Sequence, residues 1–345
     1  MTKAVPTHEA ASRQSGGGGP DKGPIGVVVI GRNEGETLLR ALGSVSEIAD
    51  AVVYADSAST DGSVARVRQA YPNVEVVEVD PRTPMTPARG RNEGMERLLE
   101  VLPDVEFIQF LDGDCDLAAD WLSVARDTFV ERPQVGILCG RLRERNRERN
   151  NYHRLADMEW AQPAGEIEDL GGIMMVRRRV WEDTGGQNSD IPAAEEREFC
   201  RRAIAAGWKA MRLVEDMANH DIDMARFGEW WTRMSRMGHS WAQGLWIYRD
   251  KPHLHEVLSL ALWGGVVPTA AVIGSLPSLG ASFPVAGLAY RRLWRKIVAS
   301  REAQGEPTAD ARLYASAMLG AKFAGMVGIA RFVLRTLPGG RGGRR

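Results

Sequence analysis

This sequence contains few cysteines and almost no net charge. Three cysteines occur among 345 residues, far apart and without CxxC spacing, so a zinc knuckle or a dithiol redox motif is not expected. Sparse cysteine suits a reducing cytosol. The formal net charge of −1 gives no overall basic surface of the kind that binds nucleic acid. We therefore expect no nucleic-acid partner.

Several common catalytic signatures are also missing. The sequence has no GxGxxG after a strand-like run, no GxxxxGK[ST], no GxSxG and no HExxH. Their absence removes the simple cases of Rossmann dehydrogenases, P-loop nucleotide triphosphatases, α/β-hydrolases and zinc proteases. Residues 1–23 lack an apolar stretch and include a run of four glycines, which predicts a disordered leader rather than a signal peptide.

Short β-branched runs alternate with segments of helical spacing from Pro24 onward. This alternation predicts βαβ units, and hence an α/β fold with a mostly parallel central sheet and helices on both faces. Strands are expected at 25–30, 51–55, 74–79, 107–111 and 171–176, and helices at 36–45, 63–71, 88–101 and 193–206.

Polar side chains follow these predicted strands where each strand ends. Asn33 and Glu34 follow the first strand, Asp56 the second, and Asp112 and Asp114 the fourth. Carboxyl ends of parallel strands share one edge of a sheet, where ligands bind. Two carboxylates two residues apart at an irregular strand end can hold Mg²⁺ or Mn²⁺ together with phosphate oxygens. Ordinary turn chemistry is the alternative for Asp-Gly-Asp.

Two further polar segments have both a binding and a structural interpretation. Asp61 opens a predicted helix and fits an N-cap, whereas Asp56 has no such local task and suits hydrogen bonding to a base or ribose. Arg91 lies near the start of another predicted helix. There it would add to a phosphate site, or else form a surface ion pair.

Acidic residues also crowd the start of the predicted helix 193–206. Glu195, Glu196 and Glu198 complement the helix dipole, or they supply a general base whose pKa is raised by its neighbours. His220 follows later in the chain. A lone histidine is usually structural, but beside Asp112 and Asp114 it is a candidate third metal ligand.

An arginine-rich segment, residues 141–154, has glutamates interspersed. One interpretation is a solvated helix or loop with local ion pairs. The other is a mobile basic segment facing a phosphate-bearing ligand or anionic lipid headgroups.

The C-terminal third is apolar. Residues 257–290 contain no charged side chain, and three prolines interrupt them, which predicts a helical hairpin or re-entrant pair of helices. The arginines and lysine that follow, at 291–296, predict a cytoplasmic flank. Residues 313–334 carry small side chains at i, i+4 spacing that permit close helix packing. We expect membrane association; a soluble helical subdomain is the alternative.

Six segments, in order, resemble glycosyltransferase family 2, whose members are inverting enzymes with the GT-A fold. The resemblance covers about residues 25–212. The segments are VVVIGRNE at 27–34, DSASTDG at 56–62, ARGRNEG at 88–94, LDGD at 111–114, GGIMMVRR at 171–178 and EEREFCRR at 195–202.

The resemblance implies a role for each matching acid. Asp56 would contact the nucleotide base, and Asp112 and Asp114 would hold ribose and metal-diphosphate. Glu195 or Glu196 would be the base. This chain has Glu196 where the family usually has Asp, and Ser57 where a second acid is usual. The Gln-x-x-Arg-Trp signature of processive members is absent, which favours transfer of single sugars.

Together these features predict a membrane-associated glycosyltransferase at the cytoplasmic face. It would use a nucleotide-sugar donor, bound by Asn33, Glu34, Asp56, Arg91 and Asp112, and a divalent cation, Mg²⁺ or Mn²⁺. The acceptor would be a sugar or lipid-linked precursor. The expected organisation is a leader at 1–23, a catalytic domain at 24–225 and a helical region at 226–345. Alternatives are a sugar-nucleotide nucleotidyltransferase, which needs a basic glycine-rich loop after the first strand, and a degenerate non-catalytic membrane scaffold.

Overall fold

The computed structural model describes residues 23–190 and 195–336, so residues 1–22 of the predicted leader lie outside the described part. Within that part, nine strands form one sheet in the order β3-β2-β1-β4-β8-β6-β9-β5, and β7 pairs with β9. The strands are β1 Ile25–Gly31, β2 Ala51–Asp56, β3 Glu75–Glu78, β4 Phe107–Asp112, β5 Cys115–Leu117, β6 Val135–Glu144, β7 Gly165–Ile167, β8 Met174–Arg177 and β9 Lys209–His220.

Most strands of the sheet run in one direction. β1 is parallel to β2 and β4, and β2 is parallel to β3. β8 is antiparallel to both β4 and β6, so β6 runs with β4, and β9 is parallel to β6. Only β5, β7 and β8, among the described strands, run the other way. The predicted α/β fold with a mostly parallel sheet is confirmed.

Helices cover this sheet where the first half of the sequence predicts them. Thr86 caps α3 by accepting a hydrogen bond from the Arg89 N–H, and Pro87 occupies the first turn, where its missing donor costs nothing. Gly94 lets α3 approach β1, because a Cβ there would lie 2.5 Å from Val28. The helices are α1 Glu36–Gly43, α2 Ser63–Ala70, α3 Pro87–Val101, α4 Trp121–Glu131, α5 Asn151–Trp160, α6 Arg178–Thr184 and α7 Glu195–Ala205.

The arginine-rich segment has a different structure from the one expected. It begins inside β6, continues through a 3-10 turn at Arg147–Arg149 and ends in α5, so it is neither a single helix nor a loop. The predicted local ion pairs are present only in part. Arg147 and Arg154 bind Glu148, and Arg143 and Arg147 bind Asp157, whereas Arg145 and Arg149 bind Asp116 and Asp223, which are distant in the sequence.

The C-terminal region is helical, as predicted. A helical path from Lys251 to Ile273 turns back into α11, and α12 follows. Pro268 does not interrupt this path, because a π-helical turn at Leu262–Val266 accommodates it. The helices are α8 Phe227–Tyr248, α9 Lys251–Ala261, α10 Val267–Ile273, α11 Ser282–Ala303 and α12 Thr308–Thr336.

Small residues bring α12 close to α8. A Cβ at Gly238 would lie 2.2 Å from the Gly325 carbonyl oxygen, and one at Gly328 would lie 2.0 Å from that of Ser235. The close packing predicted for residues 313–334 is therefore present. α5, α8 and α12 also share one apolar cluster, so helices on both sides of residue 225 pack together.

Two stretches of the described chain, Lys251–Ile273 and Thr308–Thr336, are long and apolar enough to cross a bilayer. Their most apolar windows are 11% and 28% buried, respectively.

Candidate active site

The predicted polar residues meet at the carboxyl edge of β2, β1 and β4. Asn33, in the left-handed region with φ 59°, binds the loop after β2 by accepting a hydrogen bond from the Thr60 N–H at 2.7 Å. Glu34, the next residue, lies near Asp114 and Asp112 at the end of β4. Burial, and next the charge of Asp114, raise the pKa of Glu34. The loops after β1 and β2 are thus joined at this edge.

Asp56 has a structural task that the sequence did not reveal. Its carboxylate is 2% exposed and accepts hydrogen bonds from the Tyr54 hydroxyl at 2.6 Å and the Ser59 N–H at 2.8 Å. The interpretation that Asp56 has no local task is therefore wrong, while its contact with a nucleotide stays a prediction. Asp61 is structural, since it accepts a hydrogen bond from the Ser63 N–H at the start of α2, but the N-cap of α2 is Gly62 rather than the predicted Asp61.

Asp114 and His220 lie side by side. Antiparallel pairing of β5 with β9 sets Cys115 opposite His220, which brings the His220 Nε2 to 2.9 Å from an Asp114 oxygen. Burial opposes both charges, but the hydrogen bond between them outweighs it, so the pKa of Asp114 is lowered and that of His220 is raised.

This pair suits a divalent cation. Ligand atoms of Asp114, Cys115 and His220 lie within 4.8 Å of one another. Burial raises the pKa of Cys115 and keeps its thiol protonated, which leaves the carboxylate and the imidazole as ligands. The His220 Nδ1 is buried without a hydrogen-bond partner among the described residues.

Arg91 occupies a place that the sequence did not predict. Its side chain is 2% exposed, and its two terminal nitrogens reach carboxylates on opposite sides. Nη2 lies 3.1 Å from Asp112, whereas Nη1 lies 3.3 Å from both Glu195 and Glu196. The surface ion pair expected for Arg91 is therefore wrong, while its contact with a donor phosphate stays a prediction. The guanidinium is committed to a buried carboxylate cluster.

Gly172 makes room for this guanidinium. A Cβ at position 172 would lie 2.1 Å from the Arg91 Nη2 and 3.1 Å from an Asp112 oxygen. A larger side chain there would displace the arginine from Asp112.

Glu195 and Glu196 differ in their access to the cleft. Glu195 is 3% exposed, while the Glu196 side chain is 18% exposed. Burial raises the pKa of Glu196 to about 7, with Arg91 opposing the rise and Glu195 adding to it. A carboxylate poised near neutral pH is suited to proton abstraction.

A cavity of about 610 Å³ opens beside Asp112, Asp114 and His220. Its other wall carries Trp160 of α5 and residues of α8. The Trp160 ring packs 4.7 Å from the His220 ring. Sequence reasoning missed this wall. One sequence pattern could have indicated this wall. Arg233, Met237 and Trp241 have i, i+4, i+8 spacing, which places them on one face of α8.

This chain is similar to known proteins in both sequence and fold. Residues 26–184 match the family described as "Glycosyl transferase family 2". Mannosyltransferase PcManGT from Pyrobaculum calidifontis, solved with GDP-Man and Mn²⁺, superposes with a TM-score of 0.56 at 20% identity, over 89% of this chain and 87% of that one.

TarS from S. aureus gives a TM-score of 0.46 at 17% identity, over 70% of this chain and 43% of that one. The TarS 1–349 structure with UDP gives 0.48 at 16%, over 88% and 89% of the two chains. This chain thus spans less than half of the longer TarS structure, and no curated protein matches its sequence. Residues 26–184 of this chain are thus similar in sequence to glycosyl transferase family 2, and the central sheet has the GT-A fold.

Proposed function

We propose that this protein transfers a single sugar from a nucleotide-sugar to an acceptor hydroxyl, with inversion at the anomeric carbon. The observation that carries the proposal is the cluster at Arg91, which joins Asp112 at the donor edge to Glu195 and Glu196. The buried Arg91 guanidinium fixes the distance between Asp112, which would face the donor, and Glu196, which would take the proton. Such fixed geometry is what a displacement reaction needs.

The donor would lie along the carboxyl edge of β2, β1 and β4. Asn33, Glu34 and Asp56 surround the base and ribose in this arrangement, and Asp112 faces the diphosphate. Asp114 and His220 would hold a divalent cation beside Asp112, as their proximity supports. The cation would neutralise charge on the departing nucleoside diphosphate. PcManGT, which shares the fold, was solved with GDP-Man and Mn²⁺.

The acceptor would approach from the side of α7. Glu196 is the better base, because Glu195 is the more deeply buried of the two. Glu196 takes the proton of the acceptor hydroxyl while the hydroxyl oxygen attacks the anomeric carbon. The bond from that carbon to the diphosphate oxygen breaks on the opposite face, which inverts the centre. Glu195 and Arg91 hold Glu196 in place.

The C-terminal region would keep the catalytic domain near a membrane. We assign residues 24–225 to catalysis and residues 226–345 to membrane association at the cytoplasmic face. Large apolar side chains stay exposed on the helical path Lys251–Ile273, which supports this assignment. An acceptor that is a lipid-linked or polysaccharide precursor fits such a location.

Calorimetry with UDP, GDP and dTDP, first with Mn²⁺ and then with EDTA, tests the donor site. We expect one nucleotide to bind only with the metal, and Asp114→Ala to abolish that binding. Asp120→Ala, which changes an exposed aspartate six residues away, is the matched control and should bind normally. If the folded protein binds none of the three nucleotides, the non-catalytic scaffold is the better interpretation.

A further inference from the structure

The two most exposed large apolar side chains of the described residues lie at one helical turn-back. Leu276 and Leu279, in the connection between α10 and α11, are 87% and 97% exposed. The flanking helices continue the surface with exposed Val266, Val272, Ile273, Phe283, Val285 and Leu288. Residues 264–289 contain no charged side chain. We call residues 264–289 the hairpin.

An aromatic pair closes the base of the hairpin. The Tyr290 hydroxyl donates a hydrogen bond to the Trp263 carbonyl oxygen, and their ring centroids are 5.6 Å apart. Trp263 and Tyr290 therefore lie at the same level on the two helical segments of the hairpin. Tryptophan and tyrosine favour the boundary between headgroups and acyl chains.

A basic collar follows the aromatic pair on α11. Arg291, Arg292, Arg295 and Lys296 are exposed, and at i, i+1, i+4 and i+5 they share one side of the helix. Within the described part of the chain, none of the four has a carboxylate partner, in contrast with the arginines of 141–154. Unpaired cations next to an aromatic belt match the phosphates of an anionic leaflet.

The length of the hairpin decides how deep it reaches. Ser282 to Tyr290 extends about 12 Å and Trp263 to Ile273 about 15 Å, at about 1.5 Å per helical residue. The hydrocarbon core is about 30 Å thick. Starting from the aromatic pair at the interface, the tip at Leu276 and Leu279 reaches about the midplane and no further.

The second apolar helix, α12, has a different setting. Gly325 and Gly328 press it against α8, and Lys322 donates a hydrogen bond to Ser259 of α9. Its most apolar window is more buried than that of Lys251–Ile273. α12 thus packs against α8 and α9, which leaves the hairpin as the more exposed of the two apolar elements.

We propose that the hairpin enters a single leaflet of an anionic bilayer as a re-entrant wedge, with the basic collar among the phospholipid headgroups. The inference rests on the proposed membrane association and specifies its form: the chain dips to mid-bilayer and returns to the same side. Both the collar and the catalytic domain therefore stay on one face of the membrane.

Depth measurement on the full-length protein tests this topology. Cys115, Cys139 and Cys200 are buried, so a nitroxide attached to one introduced cysteine reports a single position. We expect the label on Leu288→Cys, Phe283→Cys and Leu279→Cys to lie progressively deeper in phosphatidylcholine/phosphatidylglycerol vesicles, ending near the midplane. Val214→Cys, 73% exposed on β9, is the aqueous control.

Two depth results would overturn the proposal. A label at Leu279 that stays in water in the presence of vesicles means that the hairpin does not insert. A label at Leu279 reached only by a nickel complex trapped inside the vesicles means that the hairpin spans the bilayer.

Vesicle flotation tests how the apolar residues of the hairpin and the basic collar contribute to lipid binding. The double variant Leu276→Glu/Leu279→Glu should lose at least about tenfold in vesicle binding, since binding scales with buried apolar area. Val214→Glu is the matched control and should bind normally. Replacing the four collar residues by Gln should abolish the preference for phosphatidylglycerol. Unchanged flotation of the double variant, or its conversion of a dimer to a monomer without loss of lipid binding, would contradict the proposal.

Metal-dependent nucleotide binding, measured in the same preparations, separates the hairpin inference from the proposed sugar transfer. A double variant that binds nucleotide but not vesicles supports both. A wild-type protein that floats with labels at the expected depths but binds no nucleotide retains the hairpin inference and loses the proposed transfer.

Discussion

Two buried arginine–carboxylate clusters in this molecule differ in the sign of the charge at their centre. At the cleft, Arg91 faces three carboxylates, those of Asp112, Glu195 and Glu196. Beside α5, Asp157 lies between two arginines, with the Arg143 Nε at 3.1 Å and the Arg147 Nε at 3.0 Å, and Arg147 also pairs with Asp310. Both central side chains are nearly inaccessible, at 2% for Arg91 and 3% for Asp157.

The difference separates a working site from a structural one. Burial disfavours ionisation of Glu196 and the charge of Glu195 adds to this effect, so the pKa of Glu196 is raised to about 7. The arginines of the second cluster carry no comparable chemistry, because guanidinium does not release its proton near neutral pH. Arg143 and Arg147 are also partly exposed, so water shares their charge. We therefore expect substitutions in the first cluster to change activity, and those in the second to change only stability.

Glu196→Gln should have the largest effect. The amide cannot accept the acceptor's proton, so kcat should fall by about 10²- to 10⁴-fold while metal-dependent nucleotide binding is retained. Steady-state kinetics together with calorimetry provide the two measurements.

The same helix supplies the control for Glu196→Gln. Glu198 pairs with Arg202 at 2.6 Å, away from Arg91, and Glu198→Gln should keep kcat. Full turnover by Glu196→Gln, or a larger loss in Glu195→Gln, would refute the assignment of Glu196 as the base.

Arg91→Ala should destabilise the fold and lower activity together. Removing the guanidinium that pairs with Glu195 and Glu196 leaves uncompensated buried charge, which costs about 3–5 kcal/mol of unfolding free energy. Urea unfolding monitored by tryptophan fluorescence measures this loss.

Arg91→Lys sharpens the same test. Lysine keeps the charge but replaces two separated terminal nitrogens with one, so it cannot reach Asp112 and Glu196 at once. We expect Arg91→Lys to recover part of the stability while kcat stays low. Recovery of full activity would show that charge alone, rather than the two-sided contact, is required.

The raised pKa of Glu196 predicts a pH dependence of opposite sign for activity and stability. The base must be ionised, so kcat/KM should rise with pH up to about 7 and then level off. The folded state holds this proton more tightly than the unfolded state, whose pKa is near 4.5. Its stabilising effect is therefore complete below pH 4.5 and is lost between 4.5 and about 7, by about 3 kcal/mol.

Glu196→Gln isolates that contribution from the other carboxylates. The difference in unfolding free energy between wild type and variant should change over this pH window and be constant above it. A difference that is the same at pH 5 and pH 8 would mean that Glu196 does not titrate with a raised pKa.

The sequence predicted one half of the sheet well and the other half poorly, for a physical reason. β1 to β4 are β-branched or apolar runs separated by segments with helical periodicity, and both of these signals are local. β6 ends in alternating arginines, and β9 contains few β-branched residues, so neither reads as a strand. Their pairing with each other and with β8 determines them, and such pairing is absent from local patterns.

The site shows the same division. Asp112 and Asp114 were predictable because they end a recognisable buried strand. The role of Arg91 was not, because its partners lie 21, 104 and 105 residues away along the chain. Its position near a helix start suggested an exposed phosphate ligand, and only the tertiary fold shows it to be buried.

Asp157→Asn tests the structural cluster and should have the smallest of these effects. Asparagine keeps an oxygen that can accept the Glu144 N–H and loses only the charge between Arg143 and Arg147. Because those arginines are 32% and 24% exposed, we expect a loss of about 1–2 kcal/mol in unfolding free energy and no change in kcat. Asp223→Asn, which changes the exposed partner of Arg149, should change neither the unfolding free energy nor kcat. A fall in kcat for Asp157→Asn at saturating substrate, with the fold intact, would show that this cluster also shapes the cleft through α5 and Trp160. The comparison of the two clusters would then no longer separate a working site from a structural one.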